Sequence, residues 1–134
     1  MHVFFHRIGY ILNVTTEIDN FFPDTFQYMN IPVRDNEETD LLRYFNESNR
    51  FINAAKDEGK NVLVHCKMGI SRSATIVTAY VMKTSEWGLR RSMEHVKKKR
   101  NCVKPNPNFM KQLEVYEVRL SAFVSKLRKA PTNY

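Results

Sequence analysis

Two cysteines in 134 residues cannot build a disulfide framework, which points to a reducing, cytosolic or nuclear setting. No stretch approaches the roughly 18 apolar residues that a membrane span requires. The first apolar run, Val3-Phe4-Phe5, is broken at once by His6 and Arg7, so no secretory leader is expected, and neither end carries a lipidation motif. A soluble, cytoplasmic protein is expected. Repeats and low-complexity tracts are missing, as is the Gly-Lys-Ser/Thr of a nucleotide-binding loop. Acidic residues are scarce beside basic ones, 14 against 21, and the resulting net charge of +7 favours an anionic partner. Charge alone does not choose among a phosphoprotein, an acidic protein face, a membrane surface and nucleic acid. What is present, 43% hydrophobic and 12% aromatic residues, suffices for one folded domain with a core. That domain is expected over residues 1–128, with a loose tail over 129–134.

The runs Tyr10 to Val14 and Phe26 to Val33 read as strands, the second following a turn at Pro23-Asp24. Leu41, Phe45, Ile52 and Ala55 recur at helical spacing after Thr39, an N-cap type, and Gly59 marks the end of that helix. "NVLVH", residues 61 to 65, is short and apolar with little alternation, as expected for a strand covered on both faces. From Ser71 to Lys83 the chain is apolar or small nearly all round, which predicts a central buried helix. Two further helices, separated by Pro105 and Pro107, carry Leu89, Met93 and Val96, then Phe109, Leu113, Tyr116, Leu120, Phe123 and Leu127. The expected fold class is α/β, a central, mostly parallel sheet flanked by helices.

The third strand points straight into "HCKMGISRS". A strand ending in His65-Cys66, five further residues and an arginine opening a helix make a cradle for a tetrahedral oxyanion. Backbone N–H groups of Lys67, Met68, Gly69, Ile70, Ser71 and Arg72 can converge at the helix N-terminus, whose dipole attracts a dianion. Gly69 permits the tight turn. The same field lowers the thiol pKa of Cys66 and makes a thiolate nucleophile. Arg72 offers a planar fork for two phosphate oxygens, and Ser73 is placed to hydrogen-bond the sulfur when it leaves a phosphocysteine. Cleavage of a phosphate ester also needs an acid. "VRDNEETD" supplies Asp35, Glu37, Glu38 and Asp40, of which Glu37 and Glu38 read as solvated. No metal-ligand set accompanies Cys66, so neither a metal nor another cofactor is expected.

"VHCKMGISRS" resembles the signature of the cysteine-dependent dual-specificity phosphatases, and "ILNVT", "EIDNFFP" and "KPNPNFMKQLEVY" are similar to the slingshot branch, from about Ile11 to Phe123. The resemblance implies the cysteine-phosphatase fold and hydrolysis of phosphoserine, phosphothreonine and phosphotyrosine esters, with phosphorylated cofilin-family proteins as substrate and actin as a further partner. Nucleic acid is then not a partner. It implies Cys66 as nucleophile, Arg72 as phosphate-binding arginine, Ser73 as the hydroxyl on the leaving thiolate, and Asp35, 31 residues ahead of Cys66, as general acid. Asp40 is the weaker acid candidate, and Asn108 matches a residue of the family's loop beside the site. The family's leading strand and helix, with an "LYLGS"-like segment, are expected to be missing ahead of Tyr10. A MAP-kinase-type phosphatase, a phosphoprotein-binding module without turnover and a lipid or RNA-end phosphatase are the alternatives. His65 is expected to order the loop, Cys102 to remain unpaired, the Lys97 to Arg100 run to be a solvated helix face, and His2, His6 and His95 to lie at the surface.

Overall fold

The computed structural model describes residues 8–129. Three strands, β1 (Ile8–Asn13), β2 (Gln27–Asn30) and β3 (Asn61–His65), and four helices, α1 (Phe45–Asp57), α2 (Arg72–Ser85), α3 (Leu89–Lys99) and α4 (Pro107–Lys129), follow in the order β1-β2-α1-β3-α2-α3-α4. The strands form one parallel sheet in the order β2-β1-β3, with Asn13 level with Asn30 and with His65. All three therefore end at the same edge. The fold is the α/β arrangement expected, with the sheet flanked by helices. The family's leading strand and helix would precede Tyr10, and the segment 1–7 that bears on their absence lies outside the described residues.

β1 runs through the middle of the sheet and buries Tyr10, Ile11, Leu12 and Asn13. Leu12 and Val14 share a core with Ile31, Leu41, Phe45, Ile76, Phe109 and Leu113, so all layers meet at one apolar centre. α2 is the central helix that the sequence predicts. It buries Thr75 and Thr78, whose hydroxyls donate to the carbonyls of Ser71 and Ala74, so neither is left unsatisfied. Gly59, at φ +71°, closes α1 as expected.

Three local expectations change. Thr39 does not cap α1. The helix is entered through a 3-10 turn at Leu42–Tyr44, and the Thr39 hydroxyl donates to Asn36 Oδ1 instead. The second strand is shorter than its apolar run because Ile31 and Val33 turn into the core beyond Asn30. β3 is half-buried rather than covered on both faces, since Leu63, Val64 and His65 line a cavity of about 490 Å³ shared with Phe21, Phe22 and Met68.

Candidate active site

Cys66 follows β3 directly and is buried, and its Sγ lies 3.1 Å from Ser73 Oγ in the first turn of α2. Burial alone pushes this thiol up. Against it, the Ser73 hydroxyl, the N–H groups of Ser73 and Gly69 and the charge of Arg72 together hold Cys66 below the ordinary thiol value. The loop between sulfur and helix needs Gly69 at φ +68°, and a Cβ there would stand 2.8 Å from Arg100 Nη2. That guanidinium buttresses the loop by donating to the Met68 carbonyl at 3.2 Å. Lys104 N–H does the same at the Ile70 carbonyl, at 2.7 Å.

Arg72 is 5% exposed, and its orientation is fixed by a residue that sequence reasoning missed. Glu17, just after β1, accepts from Nη1 at 2.7 Å and from Nη2 at 3.0 Å, while Nη1 also donates to the Val33 carbonyl at 3.0 Å. Three of the five guanidinium N–H groups are thereby committed, and the edge formed by Nε and the second Nη2 hydrogen is left for a bidentate anion. The Arg72 hydrogen bond holds Glu17 at a pKa of about 2, and the same bond makes Arg72 still harder to deprotonate.

A cleft of about 570 Å³ brings together Cys66, Lys67, Met68, Ile70, Ser71, Arg72, Glu17, Arg34 and Asp35. Of the loop residues expected there, Gly69 lines the cavity on the other side, and Ser73 contacts the sulfur without lining the cleft. Asp40 lies elsewhere, its Oδ1 accepting from Arg43 N–H at 3.2 Å. Asn108 also stays outside and donates to the carbonyls of Asn36 and Thr39, so it holds the loop that carries Asp35. Asn106, again missed, accepts from Phe109 N–H at 2.8 Å and donates to Asp35 Oδ1 at 2.8 Å. Its place between Pro105 and Pro107 is a helix-start signal that could have identified the first of these bonds. His65 lines the cavity behind Cys66, and burial lowers its pKa. His95 is exposed and packs edge-on against Trp87. Both cysteines are free, with Arg100 Nε donating to Cys102 Sγ. His2 and His6 lie outside the described residues. No helix among the described residues is long and apolar enough to cross a membrane.

The dual specificity phosphatase catalytic domain family matches this chain over residues 5–119. The protein phosphatase Slingshot of Drosophila melanogaster is 56% identical over 119 residues, which is 89% of this chain and 11% of that protein. The human Slingshot homolog 2 is 57% identical over 110 residues, 82% of this chain and 8% of the homolog. The chain thus spans about a tenth of the length of these curated relatives. Among solved structures, human DUSP28 matches with a TM-score of 0.84 at 32% identity, covering 87% of this chain and 82% of that one. DUSP15 matches at 0.79 and 34%, covering 95% and 81%.

Proposed function

The chain belongs to the dual-specificity phosphatase family, and on that premise we propose that it hydrolyses phosphate monoesters on protein side chains through a phosphocysteine on Cys66. The observation that carries this reading is the single cleft in which a buried, acidified thiol faces a pre-oriented arginine, with a carboxylate on the wall. The substrate phosphoryl group sits against the N–H groups of Lys67 to Arg72 and takes two hydrogen bonds from Arg72. The Cys66 thiolate attacks phosphorus. As the S–P bond forms, the P–O bond breaks, and its electron pair goes to the leaving oxygen, which takes a proton from Asp35. Water then attacks the phosphocysteine and gives its proton to the Asp35 carboxylate. The S–P bond breaks, the sulfur departs as a thiolate that accepts the Ser73 O–H, and inorganic phosphate is released. Arg72 keeps its charge throughout and follows the negative charge as it moves from oxygen to oxygen.

The substrate we propose is a phosphorylated cofilin-family protein, with the enzyme acting in the cytoplasm beside actin. Support comes from the degree of likeness: identity to the two Slingshot proteins is 56% and 57%, against 32% and 34% to DUSP28 and DUSP15. Purified protein assayed on phosphocofilin and on a doubly phosphorylated kinase-loop peptide should favour phosphocofilin in kcat/KM, and Cys66→Ser should bind phosphocofilin without turning it over. Preference for the kinase peptide would reassign the substrate. Binding without turnover by the unmutated protein would make it a phosphoprotein-binding module.

A further inference from the structure

Asp35 is exposed, in a loop without regular structure, and a carboxyl group placed so is free to rotate unless something holds it. Asn106 holds it. The side-chain oxygen of Asn106 accepts from Phe109 N–H at 2.8 Å and thereby caps α4. This settles the amide's orientation, because the flipped amide would turn its NH2 toward the Phe109 N–H and its oxygen toward the carboxylate. Both Nδ2 hydrogens are then used on the acid loop, one on Asp35 Oδ1 at 2.8 Å and one on the Asn36 carbonyl at 3.2 Å. The backbone N–H of the same residue donates to Ser71 Oγ at 2.9 Å, at the end of the phosphate loop. One residue therefore ties the helix cap, the phosphate loop and the acid into a single frame.

We propose that Asn106 is the positioning residue of Asp35: by occupying Oδ1 it leaves Oδ2 as the oxygen that carries the proton, and it fixes where that oxygen points. This inference rests on the reading of Asp35 as general acid. In the acid form of Asp35 the carbonyl oxygen accepts the Asn106 N–H while the hydroxyl faces the leaving group. Once the proton has moved to the leaving oxygen, the same hydrogen bond runs to a carboxylate and strengthens, so it favours the transfer as it proceeds. In the second half-reaction it leaves the same oxygen open to take the proton of the attacking water.

The test compares the unmutated protein, Asn106→Ser, Asp35→Ala and the double variant on a phosphoserine peptide and on an aryl phosphate whose phenolate departs without help. Serine is a good N-cap and keeps an acceptor for Phe109, but it lacks the amide donor. Asn106→Ser should lose about 10-fold or more in kcat on phosphoserine, in the range that misplacing a reacting group costs, and little on the aryl phosphate. In the Asp35→Ala background it should lose nothing further on phosphoserine. An equal loss on both substrates, or a full additional loss in the Asp35→Ala background, would overturn the inference while the acid reading stands. If Asp35→Ala itself shows no leaving-group dependence, the acid reading fails and the inference with it. Should Asn106→Ser not fold, Asn106→Asp keeps the cap oxygen and the shape without the donor. It should show the same selective loss on phosphoserine, and wild-type behaviour would refute the role.

Discussion

Glu17 stands in the polar segment Thr15 to Asn20, where nothing in the sequence separates it from an ordinary surface acid, and its side chain is 40% exposed. Its importance comes from Arg72, 55 residues away and buried, which takes both of its oxygens. Cys66, Arg72 and Ser73 were legible because their spacing follows from one loop between a strand and a helix. Glu17 was not, because only the fold decides which acid meets the arginine. Glu17→Gln keeps the shape but removes the charge, and should lower the urea midpoint by an amount equivalent to about 1 kcal/mol, less than a fully buried charged hydrogen bond contributes because solvent screens a partly exposed partner. Since Glu17 is depressed from 4.5 to about 2, its contribution is present above pH 4.5 and is lost as pH falls through about 2. The two proteins should therefore converge in stability as the solution is acidified across that window. Parallel curves down to pH 2 would show that the ion pair does not stabilise the fold.

At the scale of elements, the apolar face of α1 was legible from Phe45, Ile52 and Ala55, all buried, while Leu41, buried as well, falls ahead of the 3-10 turn and outside the helix. Its beginning was not legible, because the 3-10 turn that leads into it is capped from α4. Gln112 Oε1 accepts from Leu41 N–H at 2.8 Å and from Leu42 N–H at 2.9 Å, and its Nε2 donates to the Thr39 carbonyl at 2.8 Å. A partner some 70 residues away leaves no local signal, whereas Thr39 has the right residue type nearby and misleads. The consequence is that α4 holds both ends of the acid loop, through Asn106 and Asn108 near Asp35 and through Gln112 at the helix start. Gln112→Ala should cost about 1–2 kcal/mol, as loss of a helix cap does, and Gln112→Glu, which keeps the acceptor, should fall between it and the native protein. Urea unfolding of the three proteins measures this. An unchanged midpoint for Gln112→Ala would mean that the orphan N–H groups find water at no cost.

Over the whole molecule, the parallel sheet explains why residues so far apart share one cleft. Each strand delivers its contribution just past its C-terminal end: Glu17 after β1, Asp35 after β2 and Cys66 after β3. The strand and helix pattern gave away the sheet, and the Cys66 motif gave away its third contribution. The convergence of the other two required the register of β1 with both neighbours. If this convergence serves covalent catalysis at Cys66, rapid quenching with a substrate labelled in its phosphoryl group will trap the intermediate. With Ser73→Ala, whose sulfur has lost the hydroxyl that eases its departure, label should accumulate on the peptide containing Cys66 as leaving group is released, in near-stoichiometric amount. The native protein should show the same labelled peptide only transiently. Release of phosphate with no label on that peptide in either protein would rule out a phosphocysteine intermediate.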